Sequence, residues 1–294
     1  GVRADMTTQV ARIALARLGD APRPLRLSYT GEVLRVRGTQ LRPEREFAQV
    51  GAELIGAENA AADIEIISIA VESLRAIGVP DLSVDLTIPL LVPALLASVD
   101  IDDDRLIALR AALDRKDSAA VRDLGGTAAP TLARLMDGTG PADQALGVLG
   151  DLDLPAAAAR ELDRLRAVYA GLLALTPGLD ITVDPVENRG FEYHTGVAFT
   201  FFARGERGEI GTGGRYVASL NGGGDAQGEP ATGFTLYVDT VLRVIPEPPR
   251  PARIYVPAGT ATDGLAALRR DGWVTIAGLD AATDVEGVTT SASA

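Results

Sequence analysis

The stretch that most limits what this chain can fold into runs from Arg189 to Phe202 and reads RGFEYHTGVAFTFF. It holds the only histidine of the chain and four of its six phenylalanines. From Phe191 to Phe201, the strand-forming residues Phe, Tyr, Thr and Val recur at about every second position, between Gly190 and Gly205. This period predicts one long β-strand, because alternate side chains of a strand share a face. The chain must therefore build a sheet around this stretch.

A glycine-rich stretch follows, GTGGRY from Gly211 to Tyr216. Glycine lets backbone approach a ligand closely. If a charged turn at 204–209 joins two adjacent strands, then Arg189, Tyr193 and Tyr216 lie near one pocket. A Tyr/Phe-rich strand is also typical of a sheet core, and GxGG is common in loops, so the residues alone leave both interpretations open.

A second alternating stretch, AQVGAELIG, covers residues 48–56. On a strand, Gln49 and Glu53 share one face, and Gly51 leaves room between them. An amide and a carboxylate over a glycine floor suit an ammonium or imidazole group. A half-exposed strand with a hydrated polar face explains the same pattern equally well.

Composition excludes several classes of function. The 294 residues include no cysteine, which excludes disulfides and thiol chemistry, and a single histidine is too isolated to build a zinc or iron–sulfur site. A net charge of −12 argues against a general nucleic-acid binder. No apolar run approaches the roughly 20 residues of a membrane span, and no signal peptide opens the chain. These features fit a reducing cytoplasm.

Apolar periodicity and the positions of Gly and Pro predict the remaining elements. In chain order we expect a helix at about 8–18 capped by Asp5 or Thr7, strands at 25–36 and 82–86, a helix at 62–77, a strand at 180–185, and a strand running into a helix at 230–243.

Between these strand-rich parts, Ala, Leu and Arg recur at helical spacing from Pro89 to about Leu175. This pattern predicts a helical insertion of four or five short helices at about 89–178. Its acidic cluster at 102–104 is expected to start a helix and not to bind a metal. A Pro-rich linker near 246–251 predicts a large domain at 1–246, followed at 247–294 by the linker and a small strand–helix–strand α/β unit. The chain begins with Gly1 and not Met, so we expect residues to precede it.

Five stretches, in this order, resemble histidyl-tRNA synthetase from residue 1 to about 246. They are RADMT at 3–7, Arg35 with REFAQVGAE at 45–53, RGFEYHTG at 189–196, GGRY at 213–216 and Gly233-Phe234. The resemblance implies an α+β fold of the class II aminoacyl-tRNA synthetase type, an antiparallel sheet flanked by helices. It also implies a histidine pocket.

The resemblance assigns one side of that pocket to the α-amino group of histidine. Asp5 and Thr7 hold the amino group in this interpretation, and Gln49 and Glu53 complete the polar side. This assignment agrees with the face that the strand pattern gives to Gln49 and Glu53.

The resemblance also assigns roles to two arginines and to the aromatic residues. Arg35 matches the motif 2 arginine of these synthetases, which meets a carboxylate or an α-phosphate, and Arg189 matches the arginine specific to the histidine enzyme. Tyr193 and Tyr216 line the imidazole site. His194 stands where the family often has a second tyrosine.

Two departures concern the nucleotide. Tyr237 occupies the place expected for a glycine, and Thr240 that of an arginine that contacts the ATP γ-phosphate. Loss of the guanidinium removes a bidentate phosphate contact, and the tyrosine fills space where the nucleotide would lie. The roughly 45 residues after the linker are also too few for an anticodon-binding domain.

A histidine pocket without these features resembles the ATP phosphoribosyltransferase regulatory subunit family, and Met6 after Asp5 agrees with this branch. The resemblance implies a noncatalytic protein without a cofactor and without tRNA as a partner. It would assemble as a homodimer with a short catalytic subunit for the first step of histidine biosynthesis, and transmit feedback inhibition by L-histidine.

Two alternatives remain open at the level of sequence. Arg189 is retained although adenylation would no longer require it, which favours an active histidyl-tRNA synthetase. A synthetase-like paralogue that acts on another amino acid is the third interpretation.

Overall fold

The computed structural model describes residues 3–38, 45–97, 99–187, 193–220, 228–247 and 250–279. The chain forms two compact units, Gly1–Ile245 and Pro246–Ala294. Within the described ranges, no helix has the length and apolar character needed to cross a membrane.

The first unit combines a sheet with nine helices among its described residues. The strands are β1 Leu25–Leu34, β2 Glu46–Ile55, β3 Ser83–Thr87, β4 Gly140–Pro141, β5 Asp180–Asp184, β6 Ala198–Phe202, β7 Gly211–Ala218 and β8 Glu229–Tyr237. The helices are α1 Thr7–Arg17, α2 Ala60–Ala76, α3 Leu91–Leu96, α4 Asp103–Asp114, α5 Ser118–Leu124, α6 Ala129–Asp137, α7 Ala142–Gly150, α8 Ala156–Leu175 and α9 Val238–Val244, with a 3₁₀ turn at Gly126–Ala128.

The strands form one sheet in the order β1-β2-β8-β7-β6-β3-β5-β4. Every neighbouring pair is antiparallel except β3 and β5, which run parallel. A parallel pair needs a long crossover, and helices α3–α8 lie in the chain between these two strands. The predicted fold class, an α+β sheet flanked by helices with a helical insertion, is confirmed.

One face of the sheet packs against α2 and the insertion. The main core joins Leu54 and Phe199 of the sheet to Ile66 of α2 and Leu165 of α8. The opposite face of β2 carries polar residues, because strand period two sends Gln49 and Glu53 away from this core. The fold therefore leaves a polar surface in the middle of the sheet.

The predicted long strand at 191–201 is wrong in its extent. β6 begins only at Ala198, and the described residues before it have no regular structure. The amide of Thr195 donates to the carbonyl of Arg215, and the amide of Arg215 donates to the carbonyl of Val197. Thr195 and Val197 thus both bond to the main chain of Arg215, as in a β-bulge, with Gly196 between them. We call residues 195–197 the bulge.

The predicted helical insertion is confirmed, but its predicted number of helices is wrong. It holds six α-helices where four or five short ones were expected, and α8 alone has 20 residues. The acidic cluster starts a helix as predicted, since the Asp102 side chain accepts a hydrogen bond from the amide of Arg105 at the start of α4.

The second unit contains β9 Arg253–Val256, α10 Thr262–Arg270 and β10 Val274–Ala277. The two strands pair in parallel, with the helix between them in the chain. This is the strand–helix–strand arrangement that the sequence predicts.

Candidate functional site

A polar cavity of about 210 Å³ lies on the face of the sheet opposite the insertion. β2, β7 and β8 form its floor, and the residues before α1 and before β6 form its walls. Of the nine predicted site residues, eight line this cavity: Asp5, Thr7, Arg35, Gln49, Glu53, Tyr193, His194 and Tyr216. The ninth, Arg189, lies outside the described residues.

Glu53 is the most deeply buried acid of the cavity, at 1% exposure. Its Oε2 accepts a hydrogen bond of 3.0 Å from the Tyr216 hydroxyl, and it fills the space left by Gly233, its partner in the register of β2 and β8. Burial raises the pKa of Glu53 to about 8, although hydrogen bonds from Thr7 and Tyr216 act in the opposite direction. Glu53 is therefore mostly protonated at neutral pH in the empty cavity, and a cationic ligand would favour its ionised form.

Gln49 fastens the N-terminal segment to β2. Its carbonyl accepts the Met6 amide at 3.1 Å, and its amide donates to Asp5 Oδ2 at 3.3 Å. Asp5 Oδ1 accepts the Thr7 amide at 2.7 Å.

The cap position of α1 is Met6, so the prediction of Asp5 or Thr7 as the cap is wrong by one residue. Because Gln49 is buried and bonded, the alternative of a hydrated polar face is also wrong.

Tyr29 is a component of the site that the sequence prediction missed. Its hydroxyl contacts Thr235 Oγ1 at 2.5 Å and Thr7 Oγ1 at 3.3 Å, beneath the cavity. In the register of β1 and β2 it lies opposite Gly51, where a side chain would collide with the Tyr29 ring. The glycine between Gln49 and Glu53 therefore makes room for a tyrosine from the neighbouring strand.

Arg35 lies at the opposite end of the cavity from Glu53. Its Cζ is 4.6 Å from the ring centroid of Phe47 and 5.7 Å from that of Tyr237. The two rings meet edge to face at 5.9 Å, and the Tyr237 hydroxyl is 3.0 Å from Thr212 Oγ1. Two aromatic rings thus fix the position of a guanidinium that can meet an anionic group.

Tyr193 and His194 form the wall on the side of β6, with ring centroids 4.0 Å apart. Tyr193 is 63% exposed, whereas His194 is buried against Gly214, where a side chain would collide with the imidazole.

The stretch GTGGRY is strand β7 and not a loop. Of its two large side chains, Tyr216 lines the cavity and Arg215 does not.

No group of three or more His, Asp or Glu residues within the described ranges is placed to hold a metal ion. The chemistry of the cavity is that of hydrogen bonds and charge. Two acidic side chains, one guanidinium and several aromatic rings line it. Such a cavity suits a small zwitterion with a polar ring.

Sequence comparison identifies relatives of this chain. The family model described as histidyl-tRNA synthetase matches residues 1–241. A protein of Paramagnetospirillum magneticum named ATP phosphoribosyltransferase regulatory subunit is 56% identical over 284 residues, which cover 97% of this chain and 73% of that protein. The chain belongs to the ATP phosphoribosyltransferase regulatory subunit family.

Solved structures of this family and its relatives share the fold. One from Bacillus halodurans C, described as an ATP phosphoribosyltransferase regulatory subunit/histidyl-tRNA synthetase, is 26% identical with a TM-score of 0.78, over 98% of this chain and 75% of that one. An ATP phosphoribosyl transferase (HisG:HisZ) complex from Thermotoga maritima gives a TM-score of 0.63 at 18% identity, over 81% of each chain. The second similarity concerns the fold alone.

Proposed function

We propose that this protein is a noncatalytic regulatory subunit that binds L-histidine and is required by a short catalytic ATP phosphoribosyltransferase subunit. The observation that carries the proposal is one cavity lined by eight of the nine predicted site residues, with Tyr237 also in its lining. The family relationship gives the biochemical context.

The cavity offers a partner for each group of histidine. Asp5 and Glu53 supply negative charge for the ammonium group, with Gln49 beside them. Arg35 lines the same cavity, and its guanidinium suits the carboxylate. The aromatic wall is left for the imidazole, which would pack against the rings of Tyr193, His194 and Tyr216.

The nucleotide end lacks what adenylation requires. Tyr237 lies opposite Gln49 in the register of β8 and β2, and only 6% of it is exposed. Its ring contacts Phe47 and takes the place that a glycine would leave open. Thr240 is fully buried in α9, so this position offers no guanidinium for a γ-phosphate.

Regulation follows if histidine binds one state of the assembly better than another. The shift in activity cannot exceed that difference in affinity. The relatives are named regulatory subunits, and the Thermotoga maritima structure is a complex of two different proteins. We infer a comparable hetero-oligomer here, with this chain self-associated as a homodimer.

The test is isothermal titration calorimetry of the protein with L-histidine and then with ATP. We expect histidine to bind, ATP not to bind, and Glu53→Ala to lose histidine binding. Glu32→Ala, at an exposed position of β1, is the matched control and should bind as the wild type does. Failure of histidine to bind would overturn the proposal.

Two further assays separate the alternatives. Pyrophosphate exchange that depends on both histidine and ATP would instead show an active histidyl-tRNA synthetase. Equal binding of unrelated amino acids would favour the paralogue interpretation. Adding the protein to a purified short catalytic subunit should raise phosphoribosyltransferase activity, and L-histidine should lower it again.

A further inference from the structure

Arg215 lies behind the cavity, on the face of β7 opposite Tyr216. Its side chain is 2% exposed and pairs with Asp63 of α2, which is fully buried, at 2.9 Å. Its Nη1 donates to the carbonyl of Ala57 at 2.8 Å, and its Nη2 to that of Asn59 at 3.0 Å. One guanidinium thus ties strand β7 to the start of α2 through a carboxylate and two main-chain carbonyls.

The same residue holds the wall of the cavity through its main chain. The Arg215 carbonyl accepts the Thr195 amide at 2.8 Å, and the Arg215 amide donates to the Val197 carbonyl at 3.0 Å. Thr195 directly follows His194 of the cavity wall. The next residue along β7, Tyr216, donates its hydroxyl to Glu53. Arg215 is therefore the point at which two parts of the cavity meet.

Gly196 shows how closely this bulge is packed. A Cβ added at Gly196 would lie 2.8 Å from Arg215 Cδ and 3.1 Å from Arg164 Nη1 of α8. The bulge thus rests on the side chains of two arginines, and one of them comes from the helical insertion.

We propose that Arg215 is a positioning residue of the histidine cavity, and that its pairing with Asp63 sets the placement of the 194–197 segment and of Tyr216. The inference rests on the proposed function, since it concerns the same cavity. Arg215 touches no ligand in this assignment. It acts through His194 and Tyr216.

A purely structural role predicts a different outcome. A buried ion pair can often be replaced by apolar residues of similar volume without loss of stability. If the pair only filled the core, such a replacement would leave the cavity unchanged. The replacement removes the guanidinium bonds to Ala57 and Asn59 in either case. If those bonds position strand β7 and the bulge, their loss loosens the wall.

The experiment compares the wild type with the double variant Asp63→Leu/Arg215→Met. We expect a thermal midpoint near that of the wild type, about tenfold weaker histidine binding, and faster hydrogen exchange at the Thr195 amide in the ligand-free protein. Arg26→Met/Glu65→Leu is the control, because that exposed pair also joins α2 to the sheet but does not contact the bulge. Wild-type affinity and unchanged exchange in a stable double variant would overturn the proposal.

A second variant keeps the test decisive if the double variant does not fold. Gly196→Ala removes no charge and pushes the bulge away from Arg215, so histidine binding should weaken several-fold. Gly147→Ala, in open space on α7, should leave it unchanged. Equal affinity in both variants would contradict the positioning role. If the wild type binds no histidine, the proposed function fails, and exchange at Thr195 still decides the role of Arg215.

Discussion

At the scale of single residues, we expect Glu53 to couple stability to ligand binding. Its pKa is raised by burial to about 8 in the folded protein, against an ordinary value of 4.5 in the unfolded chain. Because the folded protein binds this proton more tightly than the unfolded chain does, protonated Glu53 makes its full contribution to stability below pH 4.5. This contribution is lost as the pH rises through 8. At pH 8 the loss in the free energy of unfolding, relative to pH below 4.5, is a few kcal/mol, since one pKa unit corresponds to about 1.4 kcal/mol.

Replacement of Glu53 by its neutral isostere tests this cost. We expect Glu53→Gln to gain stability over the wild type as the pH rises from 5 to 8, and the gain to level off above that. Urea unfolding at each pH gives the two free energies of unfolding. Parallel pH profiles for the two proteins would show that Glu53 does not titrate in this range.

The same raised pKa predicts proton release on histidine binding. At pH 7 the empty cavity holds Glu53 mostly protonated, and an ammonium or imidazolium group beside it favours the carboxylate. Calorimetry in phosphate and in Tris, whose ionisation enthalpies differ, measures the number of protons released. We expect a value between zero and one for the wild type. A variant such as Glu53→Asp that still binds should also release protons, whereas equal binding enthalpies in both buffers would contradict the coupling.

Tyr237 lines the cavity beside Arg35, where the proposed function places the excluded nucleotide. Tyr237→Gly should admit ATP weakly and lower histidine affinity a few-fold, because Arg35 loses one of its two aromatic contacts. Tyr237→Phe removes only the hydroxyl bonded to Thr212 and should still exclude ATP. Calorimetry with ATP distinguishes the two variants. Exclusion of ATP by the glycine variant would mean that the ring is not the barrier.

At the scale of elements, the sequence predicts what depends on local period. Strand β2 and its polar face follow from alternation alone, because side chains two residues apart share a face. The bulge before β6 does not follow. It includes main-chain bonds to Arg215, which lies about 20 residues further along the chain, and no local pattern shows these bonds. The role of Gly51 is intermediate, since it becomes clear only once the register places Tyr29 opposite.

The connection of the insertion to β5 gives an element-scale prediction. Lys116, between α4 and α5, has a φ of 55° and bonds both carboxylate oxygens of Asp184 at 2.6 and 2.7 Å. Lys116→Ala keeps the left-handed strain and loses the ion pair, so it should cost about 1 kcal/mol. Lys116→Gly relieves the strain and should be nearly neutral. Urea unfolding measures both, and equal losses would contradict a strained turn.

At the scale of the whole molecule, the cavity belongs to one unit. All the residues that line it lie between Ala4 and Tyr237, within Gly1–Ile245, and that unit contains the core on which the sheet packs. Among the described residues of the second unit, α10 has no buried residue and the sheet has two strands, which rarely suffice for stability. The proposed histidine site should therefore not depend on the second unit.

This independence is testable with a chain of residues 1–245. We expect it to unfold cooperatively and to bind L-histidine within about twofold of the affinity of the full chain, because every cavity-lining group and its support are retained. Circular dichroism on heating and calorimetry measure the two properties. A folded 1–245 chain that binds no histidine would show that the second unit shapes the cavity from outside it. Retained binding together with lost activation of the catalytic subunit would instead assign the second unit to assembly.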